Sequence, residues 1–73
     1  MSEEIEIHTD FIKLDAFLKF AAAVGSGGEA KAVIKDEAVL VNGELCTARG
    51  KKLRDGDSVE INGECFIVRG TAG

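Results

Sequence analysis

Apolar and charged positions alternate in "EIEIH", residues 4–8, so that Ile5 and Ile7 face one way and Glu4 and Glu6 the other. This period of two predicts a short, half-buried strand. Beyond it the period lengthens. Leu14, Phe17, Leu18, Ala21 and Val24 recur at steps of three and four. That spacing predicts an amphipathic helix of about three turns, with Asp15 and Lys19 on its wet side and Gly25 ending it. A second helix opens at Ser26, which has the capping-box spacing to Glu29. Ala30, Val33 and Ile34 form its apolar side, and Lys31 and Lys35 lie one turn apart on the other. So few residues join the two helices that they form a compact angled pair.

From Ala38 the period of two returns. "AVLV" and "ELCT" flank Asn42-Gly43, and "SVEI" and "ECFIVR" flank Asn62-Gly63. Each Asn-Gly step marks a tight hairpin of type I′. Asp55-Gly56-Asp57 marks a further turn between them. The order β-α-α-β-β-β-β, without proline, linker or repeat, predicts an α+β fold. It is one small domain over residues 1–73, with an N-terminal strand, two short packed helices and then β-hairpins. The ending "GTAG", residues 70–73, reads as a frayed tail.

Composition narrows the class. A chain of 73 residues is near the size where a single core is only marginally stabilising. With 45% hydrophobic and 30% charged residues it reads as globular rather than disordered. No apolar run approaches the roughly 20 residues that cross a bilayer, and "MSEEIEIH" is unlike a signal peptide, so the expectation is a cytoplasmic protein. Cys46 and Cys65 are isolated thiols without a CxxC. Together with the single His8 they supply no zinc set, and they read as reduced, buried strand residues.

Charge changes the picture more. The chain holds 9 Lys and Arg against 13 Asp and Glu, yet Glu3, Glu4, Glu6 and Asp10 account for the whole excess. The other 63 residues are neutral in sum, so an anionic partner is not excluded, because a local patch steers one. Arg49, Lys51, Lys52 and Arg54 crowd together just before the Asp55 turn. Lys31 and Lys35 share the exposed side of the second helix, and Lys13 opens the first. Folding the hairpin loop beside the second helix gathers these seven cations around one groove. There arginine forks onto phosphate oxygens and lysine acts as a mobile point charge. Of the four Phe, Phe17 falls on the buried stripe and Phe66 in a strand, and there is no Trp or Tyr. Without a row of rings for stacking single-stranded bases, recognition of a folded RNA through backbone and shape suits the inventory best.

Other chemistry finds little support. "GSGGEAK" lacks the phosphate-loop spacing and follows a helix, so it reads as a helix cap whose Gly28 and Glu29 amides leave room for one phosphate. No Ser-His-Asp or Cys-His arrangement exists, and Asp55 and Asp57 read as turn caps. The expectation is a protein that is not an enzyme and uses no cofactor, metal or small-molecule substrate.

"IKLDAFLKFAAAVGSGGEAKAVIKDEAVLVNGE" followed by "GKKLRDGDSVEI" resembles the RNA-binding domain first described in ribosomal protein S-four. Some pseudouridine synthases, tyrosyl-tRNA synthetases and heat-shock RNA-binding proteins share that domain. Lys13, Leu14, Asp15 and Leu18 match its first helix start, and Ser26, Ala30 and Lys31 its second. Val39, Val41, Asn42 and Gly43 match its hairpin, and Gly56 and Asp57 its turn, so the resemblance spans about residues 12–61. The N-terminal strand, the "SGG-AK" junction and "RGKKL" are most similar to short stand-alone members of the YaaA/YbcJ type, to which no catalytic domain is attached. The resemblance implies an alpha-L RNA-binding motif that holds structured RNA, ribosomal or transfer RNA, ribosomal particles included. The residues it implies are Lys13, Ser26, Lys31, Lys35, Arg49, Lys51, Lys52 and Arg54. Two departures stand out: Ser26-Gly27 replaces the Ser-Arg of many relatives, and Glu29, Asp36 and Glu37 dilute the positive field. Two rival readings remain. A ubiquitin-like sulfur or protein carrier needs a flexible Gly-Gly end where this chain reads Thr71-Ala72-Gly73, and a protein-docking adaptor would use the acidic N-terminal strand as an edge.

Overall fold

A computed structural model describes residues 2–70. Ser2–Ile7 form β1, Ile12–Lys13 form β2, Leu14–Phe20 form α1 and Gly27–Lys35 form α2. Val39–Val41 (β3), Glu44–Leu45 (β4), Lys52–Leu53 (β5), Ser58–Ile61 (β6) and Glu64–Gly70 (β7) follow. Five strands make one sheet in the order β1-β7-β6-β3-β4, with β1 parallel to β7 and the other neighbours antiparallel. The remaining two, β2 and β5, make a separate antiparallel ribbon. The fold is α+β, as the alternation of periods predicts.

Strand alternation gives the sheet two unlike faces. Val39, Val41, Val59, Ile61, Phe66 and Val68 point to one face and are buried. The helices fill that side with Leu14, Phe17, Leu18, Ala30 and Ile34, in a single apolar cluster. Phe17 meets Phe66 edge to face, with ring centroids 6.3 Å apart and planes at 80°. A fully buried Phe or Leu of this kind contributes about 1.5–3 kcal/mol, so this contact surface is the main source of stability. Leu40, Glu60, Cys65 and Ile67 point to the other face, outside the cluster.

Both hairpins turn as the Asn-Gly steps predict. Asn42 and Gly43 have φ of 52° and 82°, and Asn62 and Gly63 have 52° and 79°, the paired positive values of a type I′ turn. The second helix also begins as expected, with the Ser26 hydroxyl accepting the Glu29 N–H at 3.2 Å.

Three expectations need correction. The first helix stops at Phe20, not near Gly25. Ala22 takes the left-handed conformation (φ 59°), its N–H donating to the Lys19 carbonyl at 3.0 Å and that of Ala23 to Leu18 at 2.9 Å. This is the two-bond Schellman ending, built on alanine where glycine is usual. Val24 is buried all the same, so the apolar period continues past the end of the helix. Helix α2 ends in the same way on Glu37 (φ 61°). Secondly, both cysteines are free thiols but only half-buried: Cys65 faces the open side of the sheet, and Cys46 lies just past β4. Thirdly, Gly70 closes β7 opposite Ile7, and its N–H donates to Asp55 Oδ1 at 3.0 Å. The rest of the expected tail, residues 71–73, lies outside the described residues. No helix among the described residues is long and apolar enough to cross a membrane.

Candidate nucleic-acid interface

The basic loop is part of how α1 starts. A helix leaves its first N–H groups without internal partners, and Lys13 at the N-cap offers no side-chain acceptor. Loop backbone supplies the need: the Leu14 N–H donates to the Lys51 carbonyl at 2.8 Å and the Asp15 N–H to the Arg49 carbonyl at 3.1 Å. One residue further along, β2 pairs with β5, setting Ile12 opposite Leu53 and Lys13 opposite Lys52. Leu53 is fully buried, while both lysines are exposed. Neither two-residue strand was expected from the sequence, because a period cannot be read from two positions.

The cations stand in three local settings. Lys31 and Lys35 of α2 line a cleft of about 290 Å³ with Ile34, Thr47 and Arg49, so the helix and the loop do lie side by side. On the ribbon, Lys13 stands opposite Lys52, and Phe11 underlies Lys52 and Arg54. The Lys52 Nζ is 4.9 Å and the Arg54 Cζ 5.7 Å from the centroid of the Phe11 ring. Contacts of this type are worth about 0.5–1 kcal/mol at exposed sites and hold long side chains in place. Lys51 borders a different hollow, shared with Val41, Asn42, Glu44, Leu45 and Cys46. Ser26 stands at the far end of α2 from Lys35, roughly 13 Å along the axis, and its hydroxyl is engaged in the cap.

Carboxylates nearby are turned to other uses. Asp57 accepts the Arg54 N–H at 2.7 Å and the Asn42 side-chain amide at 3.1 Å, and Asp55 accepts from Gly70. Among the described residues the charged contacts are the Glu4–Arg69 ion pair and the Glu6–His8 contact, an ion pair only with a protonated imidazole, both on or beside β1. Lys13, Lys31, Lys35, Arg49, Lys51, Lys52 and Arg54 are therefore left without a carboxylate partner there. Unpaired by any carboxylate, these side chains give an acidic protein a local positive field. Sequence reasoning missed Phe11 and Thr47. Both stand next to positions that it chose, and no periodic signal marks either.

The model of one family, the S4 domain, matches residues 5–69. The chain belongs to the S4 domain family. A relative is the "Probable ribosome maturation protein RlbA" of Bacillus subtilis (strain 168), 48% identical over 63 residues that cover 86% of this chain and 89% of that protein. S4 domains are small RNA-binding modules, and this one is a small RNA-binding domain in the same sense. The match runs from Ile5 in β1 to Arg69 in β7, beyond the span of residues 12–61 on which the resemblance was read, so the second half of the first strand belongs to the S4 domain.

Proposed function

We propose that this S4 domain binds folded ribosomal RNA on a maturing ribosomal particle in the cytoplasm, by contact alone and without catalysis. The binding wall comprises the α2 cleft with Lys31, Lys35 and Arg49, the ribbon with Lys13, Lys52 and Arg54, and Lys51 of the loop that joins the two in sequence. The observation that carries this reading is the cross-strand placement of Lys13 against Lys52 with no carboxylate beside either. Like charges directly opposite each other in a sheet are destabilising unless an anion lies between them. Ser26 serves the wall indirectly, by starting the helix that presents the two α2 lysines. The ribosomal assignment draws on the relative, whose printed name is that of a ribosome maturation protein; transfer RNA is the competing ligand.

Filter binding to folded ribosomal RNA across a salt series tests this. Neutralising about six phosphates gives a slope of log K against log salt of roughly −4 to −5. Replacing Lys51 and Lys52 together by alanine weakens binding and flattens the slope by about 1–2 units. An unchanged slope overturns the surface, and tighter binding to transfer RNA overturns the ligand.

A further inference from the structure

Both helices cover one face of the five-stranded sheet, and among the described residues nothing covers the other. Strand register specifies what lies there. Leu45, Leu40, Glu60 and Cys65 stand side by side across β4, β3, β6 and β7. In the next row Ser58, Ile67 and Glu4 do the same across β6, β7 and β1, and Glu6 and Arg69 complete the face. Leu45 is 52% exposed, and Leu40, Cys65 and Ile67 are half-buried without packing on the core. The result is a band of apolar side chains set among carboxylates, and contiguous exposed apolar surface of this kind marks a contact site.

Charge selects the occupant. Glu4, Glu6 and Glu60 outnumber Arg69, which bonds Glu4 at 2.9 Å, and the His8 imidazole, which lies 3.4 Å from Glu6. Of the eight Lys and Arg side chains without a carboxylate partner among the described residues, Lys51 borders the hollow that Leu45 also lines at one end of this face, and the other seven lie elsewhere, on the helices, the basic loop and the ribbon. RNA is thus repelled from the part of this face that carries Glu60, Glu4 and Glu6, and a second copy would meet its own carboxylates there. A cationic segment with apolar residues between its charges satisfies both parts of the surface: its apolar side chains meet Leu40, Leu45 and Ile67, and its cations meet Glu60, Glu4 and Glu6. We infer that the open face of the sheet docks a cationic, apolar-bearing segment of a partner protein. This goes beyond RNA binding and does not depend on it.

NMR titration of the full chain with three synthetic peptides tests the inference. One alternates lysine with valine and leucine, the second carries glutamate in place of lysine, and the third is oligolysine. The amides of Leu40, Leu45, Glu60 and Ile67 are expected to shift with the first peptide alone. The double variant Leu45→Gln, Glu60→Lys removes one exposed apolar contact and reverses one exposed charge, adds no carboxylate beside Lys51, and so leaves the fold and the basic surface intact. It weakens that peptide at least about tenfold, while the salt slope for RNA is unchanged. Absence of shifts at millimolar peptide, shifts centred elsewhere, or equal binding by the variant overturns the inference. So does an equal response to oligolysine, which makes charge the only determinant, or to the glutamate peptide, which makes apolar contact the only one. Self-association through this face, read by sedimentation, replaces the partner with a second copy and overturns it too.

Discussion

Lys13 sits where local electrostatics oppose a cation twice over. It is the N-cap of α1, at the end of the helix that carries roughly half a positive charge. Across the ribbon it faces Lys52, with no carboxylate within ion-pair reach. Lys13→Glu reverses both terms: an acid now meets the helix start, and a cross-strand Glu–Lys pair replaces Lys–Lys. A helix-end charge is worth 0.3–1 kcal/mol and a cross-strand pair 0.2–1, roughly, before screening. Because Lys13 is exposed and α1 has only 7 residues, both belong at the low end. The summed gain is about 0.5–1 kcal/mol, a rise in Tm of roughly 2–8 °C for a domain this small. Thermal unfolding followed by circular dichroism at low salt reads it, with Lys13→Gln falling between the two. In about 1 M salt, where the Debye length is about 3 Å, most of the gain disappears. The same substitution weakens RNA binding and flattens its salt slope by about 1 unit. A variant that is less stable than the parent, or equally stable and still fully able to bind RNA, refutes the view that Lys13 is placed for a ligand at the expense of the fold.

Two further outcomes concern the turns. Asn42 and Asn62 share a φ of 52°, but only Asn42 uses its side chain, accepting the Ser58 N–H at 2.9 Å and donating to Asp57 at 3.1 Å. Urea denaturation should therefore show Asn42→Ala costing about 1–2 kcal/mol more than Asn62→Ala; equal costs would mean that these bonds add nothing over water. Ala22→Gly and Glu37→Gly each remove a left-handed non-glycine residue from a Schellman ending. After allowing for the flexibility that glycine adds to the unfolded chain, each stabilises by about 0.5–1 kcal/mol, and a fall in the urea midpoint would count against this account of the helix ends.

These positions also mark what could be read from the sequence. Asn42-Gly43, Asn62-Gly63 and the Ser26 cap are local devices, in which a few neighbouring residues decide the backbone, and all three stand as read. The end of α1 is not local in that sense: Val24 keeps the apolar period because the core needs it, while Ala22 has already turned the chain out of the helix. β1 was legible as a strand, but its parallel partner β7 lies at the other end of the chain, and nothing in "EIEIH" names it. The cations were legible as residues but not as groups. Their grouping depends on the β2–β5 ribbon, two residues on each side, and on backbone bonds from α1 to the loop.

Those backbone bonds let the basic loop support the fold while leaving its charges free for the proposed RNA contact. The Arg49 and Lys51 carbonyls satisfy the orphan amides at the start of α1, and Ile12 and Leu53 face each other on the inner side of the ribbon. Structure is thus held by main-chain oxygens and apolar side chains, groups that no phosphate competes for. The guanidinium and ammonium groups of the same residues take no part in it and remain exposed. An alanine at Arg49 or Lys51 keeps the carbonyl and so keeps the helix start. Loss of RNA binding in such variants is then attributable to the missing charge, and an equal loss of stability would show instead that the side chains hold the loop.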